Sequence, residues 1–180
     1  RIFIWRQNQS VAHFATVGWR QVASPVLAEF VNTNVYIMFY PLFKANDGLF
    51  NILQSVSYLI NIGFVYAISV KIGCKKRFGL FAAFLFACAP ICFAEAMSTQ
   101  VDQFATVWLL GFIYVVLEMI YDREKVNLNA DGRIRMAVLG ISAGFGYLAK
   151  PSVLIGIVIF AIWLIVVCFR RKDDTKLIVK

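Results

Sequence analysis

Two ionisable residues beside apolar stretches are the first places in this sequence where chemistry is expected. Asp102 follows the short polar segment 98–101 between two apolar runs, and Lys150 lies in the tight connection 149–152 between two others. A charge held near hydrocarbon is costly and usually faces a cavity, a partner or a substrate. A carboxylate in such a position can accept or orient a proton, and an ammonium group suits a lipid phosphate.

Each of these residues also has a purely structural interpretation. Aspartate at a helix start accepts hydrogen bonds from unpaired backbone N–H groups, so Asp102 is also a candidate N-cap. A lysine at the end of an apolar helix extends its stem so that the ammonium group reaches water, so Lys150 is also a candidate for snorkelling. The two roles of Asp102 can coexist, and the sequence leaves both interpretations of Lys150 open.

Further ionisable residues are expected on the same side of the protein, and no cofactor is expected among them. Glu95 ends an apolar run, and Arg20, Glu29 and Asp47 precede the first run. His13 is the single histidine and the four cysteines lack paired zinc-ligand spacing, so a site built on imidazoles is excluded and a zinc site is not indicated. A divalent cation held by carboxylates is left open, without support from the sequence.

The composition indicates a membrane protein. Hydrophobic residues make up 61% of the 180 positions and charged residues 16%, against about half and a quarter in soluble domains. The apolar residues form runs close to the length at which a helix crosses ~30 Å of hydrocarbon. We therefore predict an all-α, polytopic transmembrane helix bundle with about five spans, at residues 51–70, 78–97, 103–121, 136–149 and 151–169. The fourth span covers only about 21 Å, so it is expected to sit off-centre, to thin the bilayer or to border a watery cavity.

Basic residues give the orientation of the spans. Thirteen Lys and Arg residues follow the first, third and fifth spans, whereas the connections after the second and fourth hold none and one, Lys150. Cytoplasmic loops carry such an excess, so Asp102 and Lys150 are predicted on the outer side. Because the basic clusters lie between apolar runs, the net charge of +8 does not indicate a nucleic-acid partner.

Residues 1–48 are predicted to form an outer loop ahead of a helical core at 49–180. Ser24 and Pro25 are typical of a helix start, and the apolar stretch 26–43 that follows is interrupted by Glu29 and two asparagines. An amphipathic helix lying in the plane of the membrane interface accounts for this pattern. A sixth span is the competing interpretation.

Small and polar residues inside the spans are assigned to helix packing. Gly140 and Gly144 form a GxxxG pattern, which allows two helices to approach closely. Asn61 and Ser69 interrupt the first span and are predicted to form hydrogen bonds that hold helices together.

Six segments, taken in order, resemble a known family. They are WRQNQSVAH at 5–13, RQ at 20–21, SPVLAEF at 24–30, NILQ at 51–54, STQVD at 98–102 and GFGYLAKP at 144–151. Together they resemble the bacterial GT-C glycosyltransferases, which are similar to protein O-mannosyltransferases and lipid A aminoarabinose transferases. The resemblance covers nearly the whole chain.

The resemblance implies a substrate class and a role for each site residue. The implied donor is a polyprenyl-phosphate sugar, the acceptor a protein, lipid or glycan, and the location the outer face of a bacterial plasma membrane. Asp102 and Glu29 are implied as catalytic carboxylates, Lys150 and Arg20 as ligands of the donor phosphate, and Gln100 as a substrate-binding residue. The family's main catalytic aspartate is expected upstream of Arg1, and transfer is expected to be a one-step inverting displacement.

A non-catalytic membrane protein, such as a transporter or a segment of a polysaccharide-assembly flippase, is the alternative. Transporters place polar residues and broken helices near the bilayer midplane, often in repeated halves. In this sequence the charges collect at one predicted membrane surface and no second half repeats the first. The enzyme is therefore favoured, chiefly through the resemblance.

Overall fold

The computed structural model describes residues 2–12, 25–43, 47–121 and 130–178. Regular structure within these ranges is helical, without a strand, so the all-α prediction is confirmed. A short 3₁₀ helix, Asp47–Asn51, leads directly into the third α-helix. The α-helices are α1 (Ile2–Asn8), α2 (Leu27–Phe43), α3 (Ile52–Lys71), α4 (Lys76–Cys88), α5 (Pro90–Ala96), α6 (Asp102–Tyr121), α7 (Ala130–Ala149) and α8 (Val153–Ile178).

Three straight helices in the described ranges are long and apolar enough to cross a membrane. They are Gly48–Lys71, which contains α3, then α6, and finally Val153–Arg170 within α8. A further span is formed if α4 and α5, which are bent by 64° at their junction, are counted together. The span predicted at 136–149 corresponds to α7, which carries charges in its first turns and does not meet the same criterion.

The second predicted span, 78–97, is a broken helix. Pro90 has no N–H to donate and disfavours a helical conformation at the residue before it. Ala89 is accordingly extended, with φ −66° and ψ 117°. Tyr58 of α3 donates its hydroxyl to the carbonyl of Ala87 at 2.5 Å, so a carbonyl in the last turn of α4 has a partner outside its own helix.

Helix α7 is longer than the sequence predicts. The predicted start is residue 136, but the helix begins at Ala130 and its 20 residues extend about 30 Å. The additional turns carry Arg135, whose Nη2 lies 3.2 Å from Oε1 of Glu118 on α6. These turns precede the apolar run on which the predicted start was based, so the sequence suggested a loop there. The prediction of a short fourth helix is therefore wrong.

The core is centred on α6, which packs against α3, α7 and α8. Its apolar partners include Leu139 of α7 and Ile157 of α8. The face that α3 presents to α6 is polar, not apolar. The buried residues of α3 are all polar and recur every three or four positions: Gln54, Ser57 and Asn61. Such spacing lies on one side of a helix, so α3 turns polar groups inward and apolar groups outward, as suits a helix surrounded by lipid.

The packing predictions for individual residues have mixed outcomes. Asn61 forms an interhelical hydrogen bond to Gln103 of α6, as predicted. The prediction is wrong for Ser69, whose hydroxyl bonds to Val65 O of its own helix. It is also wrong for Gly140 and Gly144, because a Cβ at either position would meet nothing within 4 Å.

The close approach predicted for the GxxxG pattern occurs at a neighbouring glycine. A Cβ added to Gly146 would lie 2.9 Å from Val153 Cγ1 and 3.4 Å from Trp108 Cβ. Gly146 is buried on the face of α7 that also buries Leu139 and Ser142. This face, rather than the one that bears the motif, packs against α6 and α8.

Helix α2 agrees with the helix predicted over 26–43, although Ser24 lies outside the described residues. It packs on the core, since Ala28 joins the apolar cluster that contains Ala149 and Asn32 Nδ2 donates to Phe50 O at 2.9 Å. The predicted in-plane orientation of α2, and the predicted domain boundary at residues 48 and 49, stay predictions.

Candidate functional site

Lys150 is fixed in the turn between α7 and α8. Pro151 disfavours a helical conformation at residue 150, so α7 ends at Ala149. The N–H of Lys150 donates to Gly146 O at 2.9 Å, and the Lys150 carbonyl accepts from Val153 N at 3.0 Å. With both main-chain polar groups bonded, the backbone from which the ammonium group extends is held in place. The predicted tight connection is confirmed.

Asp102 is the partner of that ammonium group. Its Oδ1 accepts a hydrogen bond from Lys150 Nζ, and the two side chains form an ion pair across 48 residues of sequence. Side-chain exposure is 25% for Asp102 and 41% for Lys150. The pair is thus partly shielded yet open to a ligand, and the two residues lie at one end of the bundle, as the predicted orientation required.

The cap interpretation of Asp102 is less well supported by the contacts. Asp102 is the first residue of α6, and its main-chain carbonyl accepts from Thr106 Oγ1 at 2.8 Å. Within the described residues, the hydrogen bond of its carboxylate goes to Lys150 and not to an N–H of the first turn. The carboxylate is therefore oriented toward the turn between α7 and α8, which carries Lys150.

The remaining predicted site residues are Glu29, Gln100 and Arg20. Glu29 is half-buried in the first turn of α2, next to Ala28 of the core cluster. Gln100 is exposed in the loop before α6, and its N–H donates to Ser98 Oγ at 3.2 Å. Arg20 lies outside the described residues, so its predicted role stays a prediction, as do those of Glu29 and Gln100.

A buried amide network lies behind Asp102; the sequence predicted an interhelical hydrogen bond for Asn61 but not its partners Gln103 and Glu95. Asn61 Nδ2 of α3 donates to both the backbone O and Oε1 of Gln103, each at 2.9 Å. Gln103 Nε2 in turn donates to Glu95 Oε2 at 3.3 Å. The polar spacing 54, 57 and 61 within an apolar span was the available signal, because a polar face on a lipid-embedded helix indicates a polar partner.

Helix α3 also bonds to the polypeptide on both sides of Asp102, at the start of the preceding loop and in the first turn of α6. In the first turn of α6, Gln54 Oε1 accepts from Phe104 N at 3.3 Å. At the start of the loop, Ser55 Oγ donates to Ala96 O at 3.0 Å, and the amide of Asn51 donates to Met97 O at 2.9 Å. The position of Asp102 is therefore set by α3, an element that does not itself contribute to the ion pair.

Among the described residues, no three His, Cys, Asp or Glu side chains form a group able to hold a metal ion. His13, the single histidine, is not among them. The site in this part of the chain is thus an ion pair, with a buried network of the Asn61 and Gln103 amides and the Glu95 carboxylate behind it. The expectation that no cofactor is needed stays a prediction.

The sequence matches the family model described as dolichyl-phosphate-mannose-protein mannosyltransferase over residues 31–178, more than four fifths of the chain. The chain belongs to this family, a GT-C type glycosyltransferase family, and the resemblance drawn from the sequence is confirmed. No curated protein and no solved structure gives a significant match. The chain is thus a multi-pass, membrane mannosyltransferase-like glycosyltransferase.

Proposed function

We propose that this protein transfers a sugar from a polyprenyl-phosphate donor to an acceptor on the non-cytoplasmic face of a bacterial plasma membrane. The observation that carries the proposal is the ion pair between Asp102 and Lys150 at the end of a bundle from this family. The pair offers an ammonium group for the donor phosphate and a carboxylate for the acceptor. The acceptor is a protein, lipid or glycan that presents a hydroxyl or amino group.

Lys150 serves the leaving group. An ammonium group has three N–H donors, so one bonds to Asp102 while the others bind phosphate oxygens. As the bond between the sugar and the phosphate breaks, negative charge develops on the phosphate, and a fixed cation lowers that barrier. The turn 149–152 supplies the fixation, because the backbone of Lys150 is bonded on both sides.

Asp102 serves the acceptor and holds Lys150. In a single inverting displacement the acceptor atom bonds to the anomeric carbon as the phosphate leaves, and the acceptor's proton passes to a carboxylate. Asp102 orients that acceptor group, and Glu29 on α2 is the second acid proposed for the site. No covalent intermediate between sugar and protein is formed.

Basic residues at the opposite end of the bundle support the proposal that the ion pair lies on the non-cytoplasmic side of the membrane. Gln54 of α3 contacts the start of α6, near the ion pair, and Lys71 ends α3 about 25 Å further along the helix axis. Beyond Lys71, the turn to α4 and the first two residues of α4 bear three more cations, Lys75, Lys76 and Arg77. Since basic connections stay in the cytoplasm, an ion pair at the other end faces outward.

The transporter alternative has one observation in its favour. The broken helix at Ala89 and Pro90 resembles the interrupted spans that line transport paths. The family match favours transfer, and the two are separated by assaying purified protein in vesicles for sugar transfer and for movement of the donor. Transfer without net movement supports the enzyme; movement without transfer would leave the alternative standing.

The role of Lys150 is tested by donor kinetics of the intact protein. Lys150→Ala removes a charge-assisted hydrogen bond to the phosphate, a contact of about 1.5–3 kcal/mol that partial exposure reduces, so kcat/KM for the donor should fall about tenfold. Lys75→Ala, at the far end, is the matched control and should leave kcat/KM unchanged. Unchanged donor kinetics in Lys150→Ala would refute the assignment.

The proposed face is tested by labelling cysteines with a membrane-impermeant maleimide in sealed cells. Cys74 is exposed in the basic turn, and Ser152 is exposed beside Lys150. In single-cysteine variants, Ser152→Cys should be labelled from outside and Cys74 only after the membrane is opened. Labelling of both from the same side would contradict the proposed orientation.

A further inference from the structure

A cavity of about 610 Å³ lies between α1 and α2, apart from the ion pair. Its volume is within the range of small-molecule sites. Neither Asp102 nor Lys150 borders it, and none of the lining side chains in the described part of the chain is charged. The lining residues are Trp5, Gln9, Ser10, Val11, Thr33, Tyr36 and Ile37.

Two aromatic rings form fixed walls of this cavity. Trp5 is 5% exposed, its Nε1 donates to Ala12 O at 3.3 Å, and its ring lies 5.5 Å from that of Phe30. Tyr36 is 4% exposed and stacks on Phe50 at 4.5 Å, with 6° between the planes. Because packing holds both rings, the parts of them that border the cavity stay in place without a ligand. Rigid aromatic walls suit the C–H faces of pyranose rings, which are flat and weakly apolar.

The polar groups of the cavity suit hydroxyls rather than charges. Ser10 Oγ accepts from Ala12 N at 3.2 Å, which leaves its hydroxyl proton for a ligand. Thr33 Oγ1 donates to Glu29 O at 2.7 Å, which leaves its lone pairs as acceptors. The side-chain amide of Gln9, which is exposed, offers both donors and an acceptor. A sugar hydroxyl is itself both donor and acceptor, so this set matches a polyhydroxy ligand.

We propose that this cavity binds the acceptor of the reaction and that the acceptor is a neutral saccharide, an inference that rests on the proposed transfer function. Helix α2 links the two sites, since Ala28 packs in the cluster with Ala149, beside Lys150. Tyr36 lies about 12 Å further along that helix. The acceptor therefore spans more than one sugar unit, with one end at the ion pair and the other in the cavity.

The proposal is tested by binding of neutral oligosaccharides to the intact protein in nanodiscs. The probes are mannose oligosaccharides of increasing length and a Ser/Thr-rich peptide, titrated by calorimetry without donor. Gln9→Met and Thr33→Val each remove one polar contact and should raise the saccharide Kd about fivefold. Asn34→Ala is the matched control on α2, because the Asn34 amide bonds to Phe30 O of its own helix, and it should leave the Kd unchanged.

Donor hydrolysis in the absence of acceptor separates this proposal from the proposed function. In this assay Lys150→Ala should hydrolyse the donor about tenfold more slowly than the wild-type protein. That rate tests the proposed transfer function, whereas the saccharide Kd of the cavity variants tests the cavity. An unchanged saccharide Kd in Gln9→Met, which alters an exposed side chain, would overturn the cavity assignment. Binding of the peptide in place of the saccharides would overturn it equally.

Discussion

Asn61 offers a direct test of how the site is held. Its side chain is fully buried, and its Nδ2 donates to two oxygens of Gln103, each at 2.9 Å. Gln103 follows Asp102 in sequence, so these bonds fix the first turn of α6 against α3. The substitution Asn61→Ala removes both bonds and leaves Gln103 Oε1 without its donor from α3.

The magnitude follows from the number of bonds lost. Hydrogen bonds between membrane helices average about 0.6 kcal/mol and reach about 1.7 kcal/mol. Two such bonds, lost from a site that water does not reach, predict that Asn61→Ala lowers the free energy of unfolding by about 1–3 kcal/mol. The change should also loosen the ion pair, because the start of α6 carries one of its two partners.

The measurement is thermal or denaturant unfolding in detergent micelles, followed by tryptophan fluorescence. Ser69→Ala is the matched control, since Ser69 is on the same helix but its hydroxyl bonds only to Val65 O within α3. Ser69→Ala should unfold within about 0.5 kcal/mol of wild type. Equal stability of the Asn61→Ala and Ser69→Ala variants would refute the conclusion that the amide network holds the site.

Three further predictions concern packing elsewhere in the bundle. Gly146→Ala should lower the free energy of unfolding by about 1–3 kcal/mol, because the added Cβ would lie 2.9 Å from Val153 Cγ1. Gly144→Ala should leave the stability unchanged or raise it, because its Cβ would meet nothing within 4 Å. Equal melting temperatures of the two variants would contradict this prediction. Arg135→Gln should cost about 1–3 kcal/mol by leaving Glu118 unpaired, and adding Glu118→Gln should recover part of that loss in a double-mutant cycle. Tyr58→Phe should cost about 1 kcal/mol, since the Ala87 carbonyl at the helix break loses its donor, and a wild-type unfolding curve would count against that contact.

The helical architecture was predictable from the sequence because its signals are local. Apolar run length predicts a spanning helix wherever it occurs, and Pro151 predicts the end of α7 from its effect on the residue before it. Pro90 carried the same information about the second span. The 64° bend between α4 and α5 was missed because the apolar pattern of the second span continues across Pro90.

Placement of Asp102 and Lys150 at the same end of the bundle was also predictable, since spans that alternate in direction return to the same side. Their direct contact was not. It depends on how far each helix is rotated about its axis, and a helix that is apolar on every side contains little information about that angle. For the same reason Gly146, rather than Gly144, could be identified as the point of close approach only once the helices were packed.

Contiguous residues were enough to establish an all-α membrane protein, its family and the two ends of the bundle, because hydrophobic length, charge bias and short motifs are local properties. Which polar groups meet was settled by the packed bundle: Lys150 with Asp102, Asn61 with Gln103 and Arg135 with Glu118. Each partner lies 17 to 48 residues from the other. Such pairs form only when helices pack at a specific rotation and depth, since a buried polar group gains free energy from a partner in contact and none from one that is merely on the same side.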